Sequence, residues 1–462
     1  MEPNRNATSV NPDADSSPAT QAPPPEEGRA RRPSVGVLID LALTPTAGGH
    51  VRFWSNIAHA AAAHGCAFDL TFHFQSDPDD AKHRGVERVS HLSEHVRIVT
   101  LPPAFSTARL PFLAQNPDHT DLAPYHRRLA NYLRSYDVLH TTDAYFAYAR
   151  TATRVQDRRR QALVTSIHTD TPAYTRVYSQ RAFENLFGDG WFARRVIEDW
   201  QWPAYAEQRM QSALSRHLAR CEHVWLTPKD DLADFCATTN VATKSRGVEV
   251  LRRGLDAGIF SPDRADRPRL EREFGLDTED FVLVFAGRID IGKEILVAAE
   301  AVRALIDRGR RLKLILAGEG SDAEKIRELL GPALRLPGFV KQERLGFILA
   351  SSDAFVFPSR IETAANAVIE ARATALPTLV SPHVADILIR EDGVDGMSVE
   401  PQSPDAWARA IDALLADRDR ARKMGALANS VIAATQPGWI DVLANDLVPG
   451  WQRVLRAASP AL

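Results

Sequence analysis

Residues 35–40 are a short, unbroken apolar run closed by Asp40, the pattern of a strand buried on both faces of a parallel sheet. A glycine-bearing loop, 44–50, follows. Apolar residues at helical spacing then run from about 51 to 64 and stop at Gly65. Further runs at 67–74, 96–101, 136–140, 162–168 and 222–228 repeat the strand pattern, and a helix is predicted to open near Lys229. A second series begins after 260–263. Its strands are predicted at 281–286, 312–317, 354–357 and 378–381, with helices near 293–308, 321–330, 342–350 and 363–375. This alternation predicts α/β architecture with parallel sheets covered by helices on both faces. Residues 250–275, rich in Arg, Asp, Gly and Pro, read as a hinge. The chain is therefore expected to divide into two doubly wound halves, 34–260 and 261–437, facing a cleft. A helix within 438–462 is expected to cross back to the first half, with Pro449 and Gly450 bending or ending it.

Composition narrows this picture more than it extends it. At 462 residues the chain exceeds one ordinary core. A net charge of -3 gives no global attraction to nucleic acid or an acidic membrane. Three cysteines, Cys66, Cys221 and Cys236, show no metal-type spacing, so neither a metal site nor a disulfide framework is expected. No apolar run has the length of a membrane span. Residues 1–33 lack the apolar core of a signal peptide and read as a disordered tail, and a cytoplasmic location is expected.

The chemistry concentrates at predicted strand ends, where ligands bind in such sheets. Glu362 and Glu370 lie across the start of the predicted 363–375 helix, roughly 12 Å apart if both were on it. That spacing matches the ribose-to-sugar span of a nucleoside diphosphate sugar, with backbone N–H groups at the helix start facing the diphosphate. Gly287, Arg288 and Lys293 follow the strongest strand. Two cations beside a helix start can neutralise a diphosphate without a metal, although solvated surface charges would read the same way. Gly318 and Gly320 suit a tight strand-to-helix turn. In the first half, Gly48 and Gly49 either form a plain turn or let backbone approach a ligand. His140, with Asp143 beside it, and His168, with Asp170, are placed at the cleft rim, able to hold a hydroxyl or carry a proton, or serving structure only. The short run Arg158–Arg160 reads as a solvated face, or as a weak attraction to anionic lipid. The segment 180–215, with Trp191, Trp200 and Trp202, reads as a packed helical hairpin or an acceptor-side insertion.

Taken in order, these motifs resemble the retaining nucleotide-sugar glycosyltransferases of GT-B architecture, the large family of group 1 glycosyl transferases. The resemblance spans about 35–455 and is strongest over 281–400. Gly287, Arg288 and Lys293 look like its Gly-Arg…Lys segment, and Gly318 and Gly320 its Gly-x-Gly turn. Pro358, Ser359, Glu362 and Thr363 look like its Pro-Ser-x-x-Glu-Thr phrase, and Glu362 and Glu370 its Glu-x7-Glu motif. Residues 392–396 are similar to its downstream glycine turn. Gly48 to His50, residues 137–140, residues 166–170 and Arg253 to Asp256 are similar to its first-half and interdomain phrases. The resemblance implies two Rossmann-like domains and transfer of a sugar, with retention, from a UDP- or GDP-sugar. The acceptor would be a hydroxyl of a lipid, natural product or saccharide. No cofactor is tightly bound and no nucleic acid is involved. Arg288, Lys293, Gly49, Ala364 and Ala365 would bind the diphosphate, and Glu370, Gly287 and Gly318 the nucleotide. Glu362, His140, His168 and Asp170 would be catalytic. The chain departs from the family at Ala364 and Ala365, where an apolar residue and Gly are common, and at Ala375, where Gly is. An alanine needing positive φ carries strain. A nucleotide-sugar-binding protein with weakened catalysis, a phosphorylase and a sugar-phosphate synthase are the rival implications.

Overall fold

The computed structural model describes residues 31–44, 47–77, 85–107, 119–168, 171, 202–226, 247–360 and 365–458. Two sheets organise them. The first takes β1 (Ser34–Ala42), β2 (Asp69–Gln75), β3 (Arg88–His91), β4 (Val96–Leu101), β5 (Val138–Thr141), β6 (Ala162–Ile167), β7 (His223–Leu226) and β8 (Val248–Val250), in the order β3-β4-β2-β1-β5-β6-β7-β8. All neighbours are parallel except β3, which runs antiparallel on the edge. The second takes β9 (Phe281–Ala286), β10 (Leu312–Ala317), β11 (Leu334–Gly338), β12 (Ala354–Phe357), β13 (Thr378–Val380) and β14 (Met397–Ser398), ordered β11-β10-β9-β12-β13-β14 and parallel throughout. Its inner strands β9 and β12 are buried along their whole length, which is why they read as continuous apolar runs.

Helices cover both sheets. The first has α1 (Gly49–His64), α2 (Arg127–Leu133), α3 (Ala147–Val155) and α4 (Trp202–Leu218). The second has α5 (Arg267–Phe274), α6 (Ile295–Asp307), α7 (Ala323–Leu330), α8 (Gln342–Ser351), α9 (Asn366–Ala373), α10 (Pro382–Leu388), α11 (Pro404–Ala416) and α12 (Arg418–Thr435). The chain closes with α13 (Trp439–Val442), a π turn over Leu443–Leu447, and α14 (Val448–Ala458). The helix predicted near Lys229, residues 1–30, Trp191 and Trp200 lie outside the described residues.

The C-terminal helices pack on the first sheet. Val442, Leu447, Trp451 and Val454 join Val35, Trp54 and Trp225 in one core. Trp225 Nε1 donates to the Asp446 carbonyl at 3.1 Å, and Arg252 holds the Asp446 carboxylate. Pro449 and Gly450 do not end this segment. The π turn precedes them, and Pro449 falls in the first turn of α14, where a missing N–H costs nothing. Gly450 makes room for Trp225: a Cβ there would lie 2.2 Å from the indole. Among the described residues, no helix is long and apolar enough to cross a membrane.

Candidate active site

In the second half the site grows from the ends of β9, β10 and β12. Gly287 leaves β9 at φ 146°, and its carbonyl lies 1.8 Å from where a Cβ on Gly318 would stand. A Cβ on Gly320 would likewise lie 2.3 Å from the Ile289 carbonyl. The glycine pair therefore buttresses the 287–293 loop, and hydrogen bonds from Gly287 N to Ala317 O and Ile289 N to Glu319 O tie the two turns together. The Gly318 α-carbon packs against the Gly287 backbone. Arg288, half-buried, lies 3.4 Å from Asp290. Lys293 stands over the Phe357 ring, 5.4 Å from its centre, at the mouth of β12. Ser359 donates to the Gly292 carbonyl, and Arg360 pairs with Glu294, so the two loops are joined.

Ala365 caps α9 in the left-handed region, φ 43° and ψ 48°, and Ala375 follows the helix at φ 59°. Both alanines thus hold a backbone shape that favours glycine, at a cost of about 1–2 kcal/mol each. Ala365 is buried. Helix α9 starts at Asn366 and carries Glu370. Residues 361–364, with Glu362 and Ala364, lie outside the described residues. Behind the helix, buried Arg372 donates to the Asp395 carbonyl at 2.6 Å and to its carboxylate at 2.5 Å, anchoring α9 to the 392–396 turn. Burial alone would raise the Asp395 carboxyl, but the Glu391 N–H, Arg372 and the Arg390 N–H together hold it below the usual range.

The first half meets this site through α1. A Cβ on Gly49 would lie 3.0 Å from Asn366 Nδ2, so the N-termini of α1 and α9 confront each other. Asn366 Oδ1 and His50 Nε2 are buried without a hydrogen-bond partner among the described residues. His50 stacks on His168, ring centres 4.4 Å apart. Burial, then Arg253, lowers His50 to about 3; burial, then His50, holds His168 well below its ordinary value. Both imidazoles are neutral at pH 7.

His140 was expected on the cleft rim. Instead it has no exposed surface: it stacks on Trp225 under Trp451, and burial lowers it to about 3. Its bonds fix a proton order. Trp451 Nε1 can only donate, so His140 Nδ1 accepts at 3.1 Å and the proton lies on Nε2. His140 Nε2 donates to Ser166 Oγ at 3.1 Å. Ser166 then donates to His168 Nε2 at 2.9 Å, which also accepts from Trp54 Nε1. The His168 proton is thereby placed on Nδ1. His140 is fully buried and reaches His168 through Ser166. Asp143 turns back to the Tyr145 and Phe146 N–H groups; Asp170 and Lys229 lie outside the described residues.

Arg52, His50, Arg253 and Asn366 were not singled out as site residues. Arg52 stands one turn beyond Gly49, with its guanidinium 5.5 Å from the centre of the Phe339 ring in the other half. Glu370, partly buried, is pushed up to about 7 by burial, with Arg52 pulling it back. Among the described residues, no cluster of His, Cys, Asp or Glu has the grouping of a metal site.

Two parallel doubly wound sheets with a C-terminal helix recrossing to the first define the GT-B fold. Solved structures of that fold align along nearly the whole chain. Sucrose-phosphate synthase of Thermosynechococcus elongatus covers 92% of this chain and 100% of its own, at TM-score 0.64 and 20% identity. HepE of Anabaena in complex with UDP and glucose covers 92% and 99%, at TM-score 0.61 and 14% identity. Residues 280–417 match the family described as glycosyl transferases group 1. Among curated relatives, the D-inositol 3-phosphate glycosyltransferases of Segniliparus rotundus and Nocardia farcinica are 29% and 32% identical. They align over 48% and 38% of this chain and 51% and 42% of their own. The chain thus spans about half the length of the curated relatives it matches.

Proposed function

We propose that this protein transfers a sugar, with retention, from a UDP- or GDP-sugar to an acceptor hydroxyl. The observation that carries this reading is the meeting of two helix N-termini at Gly49 and Asn366, with Lys293 at the mouth of the adjacent strand. Converging N–H groups and a cation form an anion site. The diphosphate lies there in this reading, held by Arg288 and Lys293, with the ribose on Glu370 and the donor sugar near Glu362. His168 and Asp170 serve the acceptor side. The bond from the anomeric carbon to the diphosphate oxygen breaks as the acceptor oxygen bonds to the same face of that carbon. The acceptor proton passes to the leaving phosphate oxygen. Charge growing on that phosphate is what the two cations stabilise, and the step needs no metal.

A thermal-shift screen with UDP, GDP, ADP and their sugars tests this directly. A ligand at about 100 times its Kd adds roughly 2.7 kcal/mol of stability. No shift and no transfer with any of them sinks the reading. Turnover with a free sugar phosphate instead of a nucleotide sugar would favour a phosphorylase.

The first half also supports peripheral contact with anionic lipid. Leu129, Ala152 and Leu218 put α2, α3 and α4 on one core, and their outward faces carry exposed Arg127, Arg134, Arg154 and Arg216, continued by Arg158–Arg160. None of these pairs with a carboxylate among the described residues, whereas most second-half arginines do. Flotation with phosphatidylserine vesicles at low salt tests this; failure to float removes it.

A further inference from the structure

Helices α1 and α9 face each other where Gly49 meets Asn366. One turn further along both lie Arg52 and Glu370, which are not in contact but whose charges act on each other. Three residues on α1 and four on α9 advance about 4.5 and 6 Å, close to the step from a phosphate to its ribose. The guanidinium of Arg52 also stands over Phe339, which follows β11 and whose N–H bonds Glu319. A cation from the first half therefore stands over Phe339 of the second and acts on the charge of Glu370.

We propose that Arg52 is a nucleotide-contacting residue whose guanidinium closes over the nucleoside between Phe339 and Glu370. The inference rests on the nucleotide-sugar reading and deepens it, because it makes nucleoside recognition the work of both halves. Glu370 must be ionised to accept both ribose hydroxyls. Burial works against that, and Arg52 is the charged group that opposes burial. None on α8, α12, β12 or β13, which pack on α9, adds to it, nor do Arg288 and Lys293. Removing Arg52 should therefore raise the pH at which Glu370 ionises.

Isothermal titration of the full chain with UDP, GDP and ADP between pH 6 and 9 tests this. The nucleotide that binds should weaken as pH falls through about 7. Arg52→Met should weaken it further, about tenfold, the low end for losing a charged hydrogen-bond partner, and move the midpoint upward. Arg52→Lys keeps the charge and should leave the midpoint near that of the wild type, which a merely structural role would not predict. If Arg52→Met binds with unchanged Kd and midpoint, the proposal is overturned while the nucleotide reading stands. Wild-type protein that binds none of the three overturns both.

Discussion

Replacing Asp395 by Asn tests what holds α9 in place. The side chain keeps its shape, but the buried Arg372 guanidinium loses its only carboxylate among the described residues. Breaking one member of a buried pair costs about 3–5 kcal/mol, because the remaining charge is stranded. We expect a loss in that range at pH 7.5, read as a lower urea midpoint, and faster hydrogen exchange in peptides covering 366–396. The pH dependence has a definite sign. Asp395 is held below its ordinary value, so its contribution is present above about pH 4 and fades as pH falls through the folded value. The gap between wild type and variant should therefore narrow in acid. Adding Arg372→Met to the variant should recover most of the loss, since the stranded charge is gone. A loss under about 1 kcal/mol at pH 7.5, or a gap that widens in acid, would refute the claim that this pair anchors the helix.

Trp451→Phe should cost about 1–3 kcal/mol by leaving His140 Nδ1 without its donor; nitrogen-15 NMR should then show His140 losing its single tautomer while His168, held by Trp54, keeps its own, and an unchanged His140 spectrum would count against the proton order. Glu362→Gln should lower kcat strongly while leaving the nucleotide Kd within a few-fold, since that carboxylate is assigned to the reacting sugar; equal losses in both would contradict the assignment. Ala375→Gly relieves about 1–2 kcal/mol of left-handed strain and returns about 0.5–1 through chain entropy, so a rise in stability of up to about 1 kcal/mol is expected in urea titration. A clear fall would mean that the alanine methyl matters more than its backbone.

The inner strands were readable because burial on both faces forces an unbroken apolar run, as in β9 and β12. Edge strands gave no such signal. β11 carries Pro337, tolerated where no inner ladder must be completed, and β8 is three residues with an exposed flank. His140 was misplaced because its strand end does point toward the rim by local rules; the residue that covers it, Trp451, lies far along the chain and leaves no local trace. Arg52 was passed over for a similar reason. A cation one turn into a helix reads as solvated surface until a second element, here Phe339 and Glu370, is folded against it. The glycine pair at 318 and 320 was read as a tight strand-to-helix turn, and the close crossing of two backbones that requires it became visible only in the fold.

The recrossing helix has a consequence for how this chain is made. His140 leaves the ribosome 311 residues ahead of Trp451, the group that roofs it. At about 5–20 residues per second that interval is on the order of tens of seconds. Throughout it, the first sheet carries an open apolar seat where α13 and α14 will lie. The first half is then a binding partner for its own chain's end, and a nascent chain stalled before residue 439 should be a client for chaperones. A circular permutant that delivers residues 438–458 first would close that seat at once.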